Sequence, residues 1–370
     1  MIVKKLRNYK IALIVISALI VGGSIGFIVT GFATAESIER SFSFQYEPSS
    51  PDPIEDLSLN ADIGKIIVKY NTTATLYYAE IDVDLKIGGL FMSGKTYSDF
   101  FNPSTEWWAE PSGIFDLEVL PDVWFDPSYW FKSYEITITV TLRTDVIYDI
   151  DATTATGAIE MSVPDKVILN GTSLTSNTGS VKLTTLGNTQ FQGKVGLQTS
   201  TGSVDLFAKN TNFTHGFEAI TSTGSLLLNF TDCSMGDDLT GIVSTGSVTF
   251  KSYNMIYVKD IYLKLETSTG SVDAEIYQYI NMGANVTGSM KSSTGSIDVL
   301  YRDNLANTGV KFTSSIGVGS INYTPHATME ITGGLGSIYS SLNYGIATYK
   351  YTFALTTSTG SIDVDGQSVQ

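Results

Sequence analysis

Residues 195–208 read VGLQTSTGSVDLFA, and the placement of Gly202 among them decides how the chain folds. Upstream, Leu197, Thr199 and Thr201 stand at every second position and share one face of an extended strand. Downstream, Val204 and Leu206 alternate with polar neighbours. Counted from the glycine, the inward set is minus five, minus three and minus one before it, but plus two and plus four after it. This is a period of two with a one-residue slip, so the strand would turn its apolar face to solvent unless the backbone bends at Gly202. Glycine permits the bend, because without a Cβ it enters positive φ at no steric cost.

The phrase recurs. SNTGSV ends at Val181, TSTGSV at Val204, TSTGSL at Leu226, VSTGSV at Val248, TSTGSV at Val272, SSTGSI at Ile297 and TSTGSI at Ile362, with weaker copies around Gly157, Gly319 and Gly336. The marker glycines are therefore Gly157, Gly179, Gly202, Gly224, Gly246, Gly270, Gly295, Gly319, Gly336 and Gly360, mostly 22 to 25 residues apart. A degenerate forerunner, LNADIGKIIV, surrounds Gly64. One such unit cannot bury its own apolar face, but units stacked at the ~4.8 Å strand spacing share an interior, and nine of them make a rod of about 45 Å. Outside residues 11–35 no apolar period of 3.6 residues is sustained. The expected fold is all-β: a β-solenoid-like repeat array over 151–370, an N-terminal β-cap domain over 57–150 and one N-terminal transmembrane helix.

The recurrent T-G-S-[VI] strands behind an apolar N-terminal segment resemble the putative adhesin family of cell-surface β-strand repeat proteins, over residues 57–365 apart from one insertion. The resemblance implies a repeat architecture on a cell surface and carries no catalytic residues to transfer.

The 370 residues have a formal net charge of -15. Lys4, Lys5, Arg7 and Lys10 precede the first acid, and setting their four charges aside leaves -19 on the remainder. No basic cluster follows, which excludes nucleic acid as a partner. From Ile11 to Ala35 there is no charge, a run matching the ~20 residues that cross a bilayer. The cations before it, against Glu36 and Glu39 after it, predict a cytoplasmic basic tail (1–10), a membrane signal anchor (11–35) and export of the rest. Ala33-Thr34-Ala35 leaves a cleavable signal peptide as the rival, although such apolar regions usually span ~7–15 residues. Residues 36–56, with Pro48, Pro51 and Pro53, read as an extended linker.

Two alternating runs build the cap, one with Ala79, Ile81, Val83, Leu85 and Ile87 on a face, the other with Ile136, Ile138, Val140 and Leu142. Between them, residues 97–134 hold all four tryptophans, Trp107, Trp108, Trp124 and Trp130, with four prolines and seven acids. Three readings apply to these rings: a lid over the end of the array, a contact surface for a glycan or an envelope protein, or a belt at the membrane interface.

Several other patterns have plain explanations. Cys233 is the sole cysteine, which excludes an intrachain disulfide and suits a small buried hydrophobe. His215 and His326 are too few and too separated for a zinc site. Asp205, Asp273, Asp298 and Asp363 each lie three places after a marker glycine, and Asp273 with Asp298 could reach one Ca²⁺. Leu227, Thr249, Asn322 and Tyr339 interrupt the row, so a solvated face with no metal is the better reading. The Thr-x-Thr pairs fall with the inner face by parity, which argues against a water-ordering hydroxyl surface. Six Asn-x-Ser/Thr sequons, at Asn71, Asn170, Asn212, Asn229, Asn285 and Asn322, fit an exported surface. A hydrolase or lyase needs acids and bases converging in one groove, and the recurring residues here are Thr, Gly and Ser. The sequence thus points to a cofactor-free, non-catalytic ectodomain for adhesion, surface structure or partner binding. A stress- or ligand-sensing ectodomain is the alternative, and a polysaccharide-active enzyme the distant one.

Overall fold

The computed structural model describes residues 36–368 apart from 49–51, 72–76, 110–112, 124, 304–305 and 334–336. The chain is nearly all β, and the T-G-S segments are consecutive rungs of one parallel ladder. The coil around Gly64 (Glu55–Ile63, then Lys65–Asn71) pairs with that around Gly157 (Tyr148–Thr156, Ile159–Val163). Next come the coils of Gly179 (Ile168–Thr178, Val181–Thr185), Gly202 (Val195–Lys209), Gly224 (Phe217–Thr231) and Gly246 (Leu239–Tyr253). Those of Gly270 (Ile261–Thr269, Val272–Gln278) and Gly295 (Val286–Thr294, Ile297–Asp303) follow. Glycine lies opposite glycine, as in Gly202↔Gly224↔Gly246.

Two geometric facts make glycine obligatory at this corner. Its φ is between +132° and +149° at every described marker from Gly157 to Gly360, a region that L side chains rarely enter. A Cβ on any of them would also overlap the carbonyl oxygen of the neighbouring glycine in the stack, Gly224 on Gly202 and Gly360 on Gly295 among them. The residue at minus three completes the corner. Ser176, Thr199, Thr267 and Ser292 donate their hydroxyls at 2.8–2.9 Å to the carbonyls of Gly157, Gly179, Gly246 and Gly270. Thr154, Thr221 and Thr357 do the same at 3.1–3.3 Å to Gly64, Gly202 and Gly295. Val243 occupies this position in the Gly246 coil and supplies no hydroxyl to Gly224.

Beyond the corner, Val204, Leu226, Val248, Val272, Ile297 and Ile362 form one buried file and Leu206, Leu228, Phe250, Ala274, Val299 and Val364 another. A second corner uses Asn210, Asp232 and Asn254 at φ of 48°, 52° and 55°, residue types that tolerate the left-handed conformation. It leads into short strands that stack Phe191, Phe213, Met235 and Tyr257 inside, the first two rings 5.3 Å apart. Cys233 is buried beside this file, and burial pushes its thiol up to about 11.

The cap adds antiparallel strands at the Gly64 end. Ser133–Arg143 lies parallel to Lys65–Asn71 and antiparallel to Ala79–Gly89. The alternating apolar residues of both runs are buried. Ile114–Leu117, inside the aromatic insertion, runs parallel along Ser58–Ala61 and covers the Gly64 coil.

Four expectations need correction or relocation, and a fifth falls outside the described residues. First, Thr201 and its equivalents at minus one are exposed, not inward, because the backbone turns before the glycine: the ladder passes from Thr199↔Thr221 to Thr201↔Thr223 and skips Ser200. Second, Glu36–Tyr46 within the supposed linker is a strand, antiparallel to Ala79–Gly89 from Glu36↔Gly89 to Tyr46↔Ala79. Third, the Gly64 and Gly157 coils cross the expected boundary at 150, since Tyr148–Thr156 is one strand of the array. Fourth, coil order departs from chain order: Tyr349–Gln367, with Gly360, inserts between the Gly295 coil and Thr308–Tyr323, which holds Gly319. Gly336 lies outside the described residues, and Ile338–Ser341 just after it pairs antiparallel with Lys311–Thr313 and Met329–Thr332 instead of adding a rung. Fifth, the anchor at 11–35 also lies outside the described residues, among which no helix is long and apolar enough to cross a membrane.

The pairings also close a circuit of six parallel strands, formed by Leu239–Tyr253, Ile261–Thr269, Val286–Thr294, Tyr349–Gln367, Ile297–Asp303 and Val272–Gln278. Its cause is local. Leu239–Tyr253 and Tyr349–Gln367 run unbroken through their corners, whereas the two coils between them are interrupted at Gly270 and Gly295.

Gly224→Ala meets both the φ and the overlap and is expected to cost more than about 4 kcal/mol or to prevent folding. Gly196→Ala, whose Cβ would meet nothing within 4 Å, is expected to be tolerated. Urea unfolding of both variants checks the pair, and equal stability would overturn the corner argument. Thr199→Val removes the hydroxyl from Gly179 and is expected to lower stability by about 1–2 kcal/mol in the same measurement.

Candidate functional site

The four tryptophans do not form one surface. Trp107 is 1% exposed, donates its indole N–H to the Asn102 carbonyl at 2.9 Å and packs edge-on against Phe42 at 5.0 Å. Trp108 is half-buried with its ring 5.7 Å from Tyr46. Trp124 lies outside the described residues, and Trp130 is exposed at the end of the short helix Pro127–Trp130. Phe125 and Phe131 are exposed beside it, two positions that a search for tryptophan alone passes over. The inner part of the insertion, with Phe100, Phe101, Trp107 and Phe115, is core.

The polar grooves on the outward positions of the array include two that cross several coils. One, of about 430 Å³, crosses the Gly179, Gly202 and Gly224 coils before the corner. Three glycines line it, Gly171, Gly193 and Gly196, the last with open space where a side chain would project. Its rim carries Asp149 bonded to the Asn170 amide at 2.7 Å, Lys194 paired with Glu218 at 2.8 Å, Thr175 and Gln198. Sequence reasoning missed this groove. Its signal was the three glycines that fall outside the T-G-S register.

The other groove, of about 470 Å³, lies after the corner. The inserted C-terminal coil brings Asp363 onto Asp298, which already lies opposite Asp273, so three carboxylates stand on consecutive rungs. Ser271 and Ser296 each donate to the aspartate two places on at 2.9 Å, and the Asn322 amide donates to Asp363 at 2.7 Å. Among the described residues no group of three His, Cys, Asp or Glu is placed to hold a metal ion. Asp298 is flanked on both sides, and partial burial, opposed by the Ser296 hydrogen bond and reinforced by the charges of Asp273 and Asp363, raises its carboxyl above the usual range.

A carboxyl raised in the folded state favours folding while protonated, and that contribution is lost as pH rises through its folded value. Asp298→Asn is therefore expected to raise the melting temperature at neutral pH and to leave it nearly unchanged below the carboxylate range. Thermal unfolding across pH checks this. A lower melting temperature for the variant at pH 7 would contradict the repulsive ladder.

The described marker glycines, by contrast, are structural. No family model matches the chain, and no curated protein does. Among solved structures, the chain is similar to the crystal structure of a putative cell adhesion protein from Clostridium sporogenes, at 12% identity over 89% of this chain and 100% of that one. The TM-score is 0.18, a likeness too weak to carry an argument about fold or function.

Proposed function

We propose that the chain is a membrane-anchored ectodomain, its N-terminus cytoplasmic and its bulk outside, that serves adhesion, surface structure or partner binding without catalysis. A solenoid-like array of this kind holds a binding face at a fixed distance from the membrane. The observation that carries the reading is the groove across three coils, lined in part by glycine, an open polar channel suited to an extended, hydroxyl-rich polymer or a segment of an envelope protein. Its rim offers paired donors and acceptors, and the Lys194–Glu218 and Asn170–Asp149 contacts satisfy the groups that an acid–base pair would need free. The charge-free run at 11–35 supports anchoring, and the cations before it support the orientation.

The test is a screen of the full chain in lipid nanodiscs against glycans and envelope proteins. Gly196→Leu, which fills the groove from a position with room for a side chain, is expected to reduce retention of the bound class at least tenfold while leaving the unfolding midpoint unchanged. Retention unaffected by this variant would remove the groove from the reading, and turnover of a polysaccharide would replace the reading with an enzyme.

A further inference from the structure

The chain leaves the apolar run at Ala35 and enters the cap at Glu36 with no residue between. Register fixes what lies beside that entry. Glu36 stands opposite Gly89, and Ser37 opposite Gly88, which in turn faces Ser133. Phe91 follows Gly89 by two residues and Phe131 precedes Ser133 by two. Cross-strand neighbours lie about 5 Å apart and each residue spans at most about 3.5 Å, which puts Phe91 within about 12 Å of Glu36. Phe131 is comparably near, since a Cβ on Gly89 would lie 2.8 Å from its carbonyl oxygen. The rings of Phe91 and Phe131 are 6.5 Å apart.

Exposure at this end is clustered. Phe125 is 69% exposed, Trp130 54% and Phe131 47%, all within seven residues, whereas the inner rings of the same insertion are buried. Isolated exposed hydrophobics need no explanation, but a group of large aromatics does. Phe91 is held at φ 59°, an unusual conformation for a bulky residue, in the turn that brings its ring toward Phe131. Two acids flanking the cluster are paired, Asp126 with Lys95 at 2.7 Å and Asp122 with Lys132, while Glu36 stands exposed at the entry. In a chain carrying this much negative charge, pairing Asp122 and Asp126 lowers the local repulsion that an anionic lipid surface would exert.

We propose that Phe91, Phe125, Trp130 and Phe131 seat in the headgroup region of the bilayer from which the chain emerges, docking the cap on the lipid beside its own anchor. The amphipathic ring of Trp130 favours that depth, and the phenylalanines bury apolar area at the boundary of headgroups and acyl chains. The tether favours lipid over any soluble ligand, because a patch joined to a membrane span without a linker meets the bilayer at high effective concentration. The array then leaves the membrane in a fixed orientation, with the edge that carries Val318 at the far end of the coil order. The proposal rests on residues 11–35 being a retained span.

The full chain, reconstituted in phosphatidylcholine vesicles, tests it. Phe125→Cys and Val318→Cys each introduce one accessible thiol for a polarity-sensitive fluorophore, Cys233 being buried. The label at 125 is expected to shift to the blue and to lose most of its emission to headgroup-region brominated lipid, while the label at 318 responds only to aqueous iodide. A label at 125 quenched by iodide and not by brominated lipid, in chain that resists carbonate extraction, would overturn the docking alone. Shielding of that label from both quenchers would assign the cluster to a protein contact and equally overturn it. Release of the unvaried chain by carbonate would overturn the anchor, and the docking with it. Circular dichroism of each labelled variant excludes misfolding, and Trp130→Cys, at a second exposed position, repeats the measurement.

Discussion

Every coil of the array depends on one close approach, the glycine of one rung lying directly over the carbonyl of the glycine beneath it. No other residue allows it, since the conformation and the space both exclude a Cβ. With the glycine in place, the strands on either side keep parallel register through the bend and their apolar faces remain inward. The buried files of Val, Leu and Ile are consequences of that contact. The hydroxyl at minus three serves the same corner by occupying a carbonyl that the bend turns toward the neighbouring coil.

What the sequence revealed follows from where the constraint acts on a residue type. The T-G-S phrase was legible because the corner admits only glycine and rewards a hydroxyl three places before it. Inward positions after the glycine were legible because period two holds there without interruption. The position just before it was misread, since the ladder loses a residue at Ser200 and no pattern in composition marks where a bend begins. Glu36–Tyr46 escaped notice although Ile38, Phe42, Phe44 and Tyr46 share one face, because Arg40 interrupts that alternation and Pro48, Pro51 and Pro53 just beyond it read as a spacer. Coil order was illegible for a deeper reason: equivalent rungs have interchangeable faces, so the pattern that announces a repeat says nothing about which copy lies beside which.

The candidate surfaces divide in the same way. Tryptophans were visible as a cluster in sequence, yet burial separates Trp107 from Trp130 and groups the latter with two phenylalanines. The groove over Gly196 could be seen only once three coils were in register, because its walls come from residues about twenty positions apart. Asp273 and Asp298 are neighbours on consecutive coils, and Asp363 joins them only through the interposed strand Tyr349–Gln367.

That interposed strand gives the array a peculiar assembly order. A chain appearing N-terminus first can lay each coil on a finished template as far as the Gly295 rung. The next segment to appear, Thr308–Tyr323, has no parallel partner until Tyr349–Gln367 arrives and slides in beneath it. Loss of Tyr349–Gln367 would therefore leave a hole in the wall and not merely a shorter one. The rung of Gly319 waits on Tyr349–Gln367, which makes that strand a checkpoint for this end of the array.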